Sequence, residues 1–363
     1  MPAPYALHWV CDSPTPYYQH MFNALAADPT IDLMVHYVNK TSAAHPWRRS
    51  HMAPAHRTFR TVMGIDLRII RVAAGRRSRL VVAGWSSPAL VALLLELAAL
   101  GRSYVFYTDT PNLTRWRNPV RRVARLALAR MIFRTATAVM STGTPGVEAL
   151  RAMGCPGDKA VDFPLFCDID ALRRPDGVRL GGGPLRLASC GRLVARKAYD
   201  RAFHAVGRLK QHGVAFRYDI AGTGSEEPRL RALAGRLGIG ANVHFRGWLE
   251  AEDTHTLLKS CDIFLHPATT EPYGVVVLEA MAAGAAVLGS DACGAVQDRI
   301  VHDRNGLIHR AGDGGVLAEQ LLLLARERAR IRELGAAAEA TAREWPVERA
   351  CDIVKGVLAR VDA

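Results

Sequence analysis

Two glutamates, Glu271 and Glu279, stand eight positions apart in TTEPYGVVVLEAMAAG, residues 269–284. Between them lie Pro272, Tyr273, Gly274 and three valines. DIFLHPA, just upstream, reads as a buried strand. Pro272 restricts the loop that follows, Gly274 opens a helix, and Gly284 closes it. The first turn of a helix carries free N–H groups at its positive dipole end. Gly274, Val275 and Val276 therefore offer a seat for an anion. A diphosphate in that seat leaves Glu271 and Glu279 to accept hydrogen bonds from the hydroxyls of a ribose or sugar. The plainer reading of the same residues is an exposed loop acid and a solvated helix acid.

Such a seat needs a sheet behind it. YALHWV, DLMVHYV, RLVVAG, YVFYTD and TAVMST read as strands in the first half of the chain. LRLASCG, FRYDIAG, NVHFRG, DIFLHPA and AAVLGS do so in the second. Amphipathic segments such as 197–212 and 226–238 separate them, so the class is α/β with parallel sheets covered on both faces. RRPDGVRLGGGPLRL, residues 173–187, is rich in Gly and Pro and reads as a linker. The expected organisation is a domain over 1–170, a linker over 171–185, a domain over 186–343 and a last helix over 344–363. Pro346 interrupts the tail helix and lets its final part turn towards the first domain. Ligands of such sheets bind outside the carboxyl ends of the strands, and two facing domains make a cleft.

Composition bounds the partners. The 363 residues carry a formal charge of +13, which favours nucleotide phosphates, nucleic acid or an anionic membrane. Seven scattered cysteines with no C-x-x-C pair argue against a zinc site or a disulfide framework and predict a reducing cytoplasm. The opening MPAPYALHWVCDSP lacks the pattern of a secretory signal. PALVALLLELAAL, residues 88–100, is too short to span a bilayer and reads as a buried helix.

The stretch EPYGVVVLEAMAAGAAVL resembles the E-x7-E signature of family 4 glycosyltransferases. Four further blocks resemble that family in order: CGRLVARKAYD, YDIAGTGSEEPRLRALAGRLGIGANVHFRGWL, CDIFLHPATTEPYG and DACGAVQDRIVHDRNGLI. The resemblance implies a GT-B fold, two facing Rossmann-like domains with an interdomain cleft, and a sugar nucleotide held by the second. It implies that Arg192 and Lys197 bind the donor diphosphate, that Glu279 holds the ribose and that Glu271 contacts the sugar ring. An arginine fork and a mobile lysine charge suit phosphate oxygens. The resemblance also puts Phe245 and Arg246 near the base. Gly222 lines the cleft or serves a structural turn.

The chain departs from the family pattern at several points. Ala198 follows the lysine where a glycine is usual, and Cys293-Gly294 replaces a glycine pair. CDSPTPYYQHMFNAL stands in place of an early glycine-rich loop. Thr108-Asp109 occupies a strand end where many relatives have histidine, which makes Asp109 a candidate for acceptor binding or proton relay; capping a turn is the alternative.

The expected activity is retaining, metal-independent transfer of a sugar from a nucleoside-diphosphate sugar to an acceptor hydroxyl, with no cofactor and no metal ligands. Polysaccharide, glycolipid or another glycoside is the expected product. A sugar-nucleotide epimerase or phosphorylase of the same fold is one rival; an inactive nucleotide-sugar-binding subunit is another. Between Asp109 and Glu148 the chain has no acid, and Arg115, Arg117, Arg121, Arg122, Arg125, Arg130 and Arg134 fall there. RRVARLALARMIFR fits an interfacial helix on an anionic membrane, or a solvated arginine-rich helix packed by its apolar face. No nucleic-acid-binding motif accompanies the charge. The expected location is cytoplasmic, with the inner face of the plasma membrane as a peripheral site.

Overall fold

The computed structural model describes residues 5–39, 53–58, 79–111, 118–174 and 183–362. It divides into two compact units, one of residues 1–166 and 347–363 and the other of residues 167–346. The division falls at Phe166/Cys167, and residues 175–182 of the expected linker lie outside the described residues.

In the first unit the strands are β1 (Tyr5–Cys11), β2 (Ile31–Tyr37), β3 (His56–Thr58), β4 (Arg79–Ala83), β5 (Val105–Thr108), β6 (Ala138–Ser141) and β7 (Ala160–Asp162). They pair in parallel in the order β3-β2-β1-β4-β5-β6-β7. Its helices are α1 (Pro16–Ala27), α2 (Pro88–Ala99), α3 (Pro119–Thr135) and α4 (Gly143–Ala152). Ser87 caps α2 by accepting from the Leu90 N–H, and Pro88 fills the first turn, where a missing N–H costs nothing. Leu90, Leu93, Leu94 and Leu97 of α2 are buried against the sheet, so the most apolar stretch of the chain is a core helix.

The second unit has β8 (Leu185–Cys190), β9 (Phe216–Ala221), β10 (Val243–Gly247), β11 (Ile263–His266), β12 (Ala286–Ser290) and β13 (Leu307–His309). All pairs are parallel, in the order β10-β9-β8-β11-β12-β13. Its helices are α5 (Ile169–Leu172), α6 (Tyr199–Gln211), α7 (Glu227–Arg236), α8 (Ala251–Ser260), α9 (Val275–Ala282), α10 (Gly294–Arg299), α11 (Gly314–Arg326) and α12 (Arg328–Arg343). β11 and β12 are buried at every position, as expected of central strands covered on both faces.

The chain leaves helical geometry between α12 and α13 (Glu348–Asp362), around Trp345-Pro346. Helix α13 packs on α1 in the first unit, where the Lys355 ammonium meets Asp28 at 3.0 Å. Trp345 lies under the buried Arg299 guanidinium, 3.2 Å from its carbon to the ring centre.

Candidate active site

Each sheet reverses its order once, and the second does so between β8 and β11. Ligand sites of open α/β sheets lie at the carboxyl ends of strands at such a reversal. The β8 end leads through Gly191 and Arg192 into a short turn of 3-10 helix, Ala195–Lys197. The β11 end is His266, followed by the loop that carries Glu271.

The Lys197 ammonium contacts the Glu271 carboxylate. Both side chains are nearly buried, with about a tenth of each exposed. Gly191 makes room for the lysine: a Cβ there would lie 3.2 Å from Lys197 Nζ. Burial alone would raise the Glu271 carboxyl. The charges of Lys197 and Arg196, with the lysine hydrogen bond, hold it below the usual carboxylate range instead. Glu271 is therefore ionised in a nearly dry setting.

The loop around Glu271 is fixed from behind. Its N–H donates to Ala292 O at 3.0 Å, and the Ala295 N–H donates to Tyr273 O at 2.8 Å. Gly274 then caps α9 with φ of +90°, in the left-handed region. A Cβ on Gly274 would come within 2.9 Å of Cys293 Sγ and 3.1 Å of Glu271 Cγ. Its missing side chain thus lets loop and helix close up. Val275 and Val276 follow as the first helical residues, whose N–H groups have no acceptor within the helix.

Glu279 lies one turn further along α9 and is half-buried. Desolvation pushes its carboxyl up to about 7. Arg192 is exposed in the turn after β8, and its guanidinium has no partner among the described residues. It stands outside the Lys197–Glu271 contact.

The other expected residues have partners of their own. A Cβ on Gly222 would lie 2.0 Å from Gly191 O, and one on Gly224 would lie 2.2 Å from Leu193 O. These glycines let the β9 turn press against the β8 turn. Phe245, on the edge strand β10, meets Phe203 edge-on at 6.1 Å and is covered by the Arg231 guanidinium at 4.3 Å. Arg246 pairs with Asp219 at 2.5 Å. Asp109 belongs to the first unit. It is exposed at the end of β5 and accepts from the Thr142 hydroxyl at 3.4 Å.

Two site residues escaped the sequence reading. Arg196 donates to Glu271 Oε2 at 3.0 Å and to Thr270 O at 2.9 Å. His266 is buried, and its Nε2 has no partner among the described residues. Burial, with Lys197 next in strength, lowers its pKa to about 3, so the ring is neutral. A histidine at the carboxyl end of a buried strand, just before a proline, was the available signal. Among the described residues, no group of three or more His, Cys, Asp or Glu side chains is placed to hold a metal ion.

Residues 175–344, which contain this site, match the family model described as glycosyl transferases group 1. The amylovoran biosynthesis glycosyltransferase AmsK of Erwinia amylovora is 32% identical over 199 residues, 53% of this chain and 48% of that protein. A GDP-mannose-dependent alpha-mannosyltransferase of Mycobacterium tuberculosis is 28% identical over 319 residues, 84% of this chain and 75% of that protein. The stretch that matches AmsK spans about half the length of that relative. Among solved structures, Anabaena Alr3699/HepE in complex with UDP superposes with a TM-score of 0.78 at 16% identity, covering 97% of this chain and 99% of that one. The fold is GT-B.

Proposed function

We propose that this chain is a glycosyltransferase that moves a sugar from a nucleoside-diphosphate sugar to an acceptor hydroxyl in polysaccharide or glycolipid synthesis. The observation that carries this reading is the Lys197–Glu271 pair beside the start of α9, at the order reversal of a sheet inside the family match. The UDP complex of the structural relative and the polysaccharide named for AmsK support the donor and product classes.

In this reading the donor diphosphate lies against the Val275 and Val276 N–H groups, with Arg192 and Lys197 as its counter-charges. Charge developing on the leaving diphosphate strengthens those contacts in the transition state. Glu279 accepts from a ribose hydroxyl. Glu271, already ionised, orients the sugar ring and stabilises the positive charge that grows on it. Transfer proceeds on one face with retention, the leaving phosphate taking the acceptor proton, and the protein's own cations do the work of a metal. Asp109 is an acceptor-side candidate at the edge of the first unit.

We also propose a peripheral site on the cytoplasmic face of an anionic membrane. No helix among the described residues is long and apolar enough to cross a bilayer. The arginine-rich segment supports the surface reading through α3. Its buried face is Ala129, Ile132 and Phe133, yet Val120 and Val123 stand 76% and 68% exposed beside Arg121 and Arg122. Arg115 and Arg117 lie outside the described residues. Exposed apolar groups flanked by arginine suit the boundary of an anionic bilayer.

Release of UDP or GDP from a panel of sugar nucleotides, with extracted lipid and glycan acceptors, tests the activity. Arg192→Ala and Lys197→Ala are each expected to cost about 2.7–4 kcal/mol in transition-state stabilisation. Near wild-type transfer by either variant at saturating donor would refute the phosphate assignment. Transfer is expected to survive EDTA. Abolition by chelation, with recovery on adding magnesium or manganese, would overturn the metal-free mechanism.

A further inference from the structure

Lys197 has two claims on it. Its ammonium is already paired with Glu271, while the proposed function requires it to meet a diphosphate. If the lysine were the carboxylate's sole counter-charge, turning to phosphate would strand a nearly buried anion, which is costly.

Arg196 removes that conflict. Its Nη1 reaches Glu271 Oε2 at 3.0 Å and Thr270 O at 2.9 Å, while its own carbonyl accepts the Thr269 N–H at 2.9 Å. Backbone and side chain thus grip the same three-residue loop. The Arg196 side chain is 38% exposed against 10% for Lys197, so it meets the carboxylate from the solvent side while the lysine meets it from within. The carboxylate keeps a charged, hydrogen-bonded partner whichever way Lys197 points.

We propose that Arg196 is a positioning residue for a hand-over: it holds Glu271 ionised and in place when Lys197 leaves it for the donor diphosphate. The proposal rests on the sugar-nucleotide reading of this site. Its distinctive consequence is that Glu271 competes with the diphosphate for Lys197, and that Arg196 weakens the competition. Removing the arginine therefore weakens diphosphate binding through Glu271, without Arg196 touching the phosphate.

Calorimetric titration with UDP and with GDP tests this on wild type, Arg196→Gln, Arg196→Lys, Glu271→Gln and the Arg196→Gln/Glu271→Gln double variant. The nucleotide that binds wild type more tightly is carried through the cycle. Arg196→Gln is expected to weaken binding about tenfold, and Arg196→Lys, which keeps the charge, about threefold or less. Glu271→Gln alone should bind the nucleotide more tightly than wild type, because the lysine is released. In the Glu271→Gln background the arginine change should cost about twofold or less. An equal loss in both backgrounds would overturn the hand-over and make Arg196 a direct phosphate contact. Unchanged affinity in Arg196→Gln would overturn it too. If wild type binds neither nucleotide, the sugar-nucleotide reading itself fails and takes the hand-over with it.

Discussion

Glu279 makes the stability of the second unit depend on pH in an unusual direction. Its carboxyl is raised from 4.5 to about 7, because burial in α9 disfavours the charged form. The native state therefore holds this proton to higher pH than the unfolded chain does. Its contribution is fully present below pH 4.5 and is lost as pH rises through 7. A raised pKa of that size corresponds to about 3 kcal/mol at most. The residue is half-buried, so solvent screening reduces the expected penalty at pH 8 to about 1–2 kcal/mol. Glu279→Gln keeps the shape of the neutral acid and removes the titration. Its melting temperature should match wild type near pH 4.5 and exceed it at pH 8 by about 3–6 °C, at about 3 °C per kcal/mol for a domain of this size. Taking the difference between variant and wild type at each pH cancels the other titrating groups. Thermal melts of the ligand-free protein from pH 4.5 to 8.5 would measure it. A difference that stays constant across that range, or has the opposite sign, would show that this carboxyl does not titrate in a desolvated setting.

Three further outcomes follow from the geometry. Ala198 sits in the left-handed region at φ of +50°, so Ala198→Gly should stabilise the protein by up to about 1 kcal/mol in urea unfolding; a loss of stability would contradict that strain. The Arg174 guanidinium donates to Ala283 O, at the carboxyl end of α9, and to Cys261 O, so Arg174→Met should cost about 1–3 kcal/mol in the same assay by orphaning both carbonyls. The Cβ of Gly222→Ala would overlap Gly191 O, so this variant should lose more than about 3 kcal/mol or fail to fold; wild-type stability would refute the close approach of the two turns.

The elements of this protein were legible locally because their cues are local. Apolar runs such as DIFLHPA and AAVLGS name central strands, since burial on both faces demands continuous hydrophobicity. The three-residue strands β3, β7 and β13 were not singled out. They lie near or at sheet edges, and three residues carry too little pattern. Glu271 and Glu279 stood out beside a helix start, and Arg192 and Lys197 through the family resemblance; the structure joins Lys197 to Glu271 directly while leaving Arg192 exposed and outside that contact.

What spacing could not supply was partnership. The Arg196–Glu271 bond spans 75 positions, and only the parallel pairing of β8 with β11 brings their carboxyl ends side by side. The family resemblance put Phe245 and Arg246 near the base, and it could not show that Phe245 packs on Phe203 or that Arg246 pairs with Asp219, contacts that arise because α6 and β9 pass beside an edge strand. Local sequence determined which residues form strands, helices and turns, through periodicity, capping and backbone preference. Tertiary structure alone decided which buried charges neutralise one another and which polar atoms, such as His266 Nε2, have no partner among the described residues, because Coulomb energy and desolvation depend on distances that the fold sets.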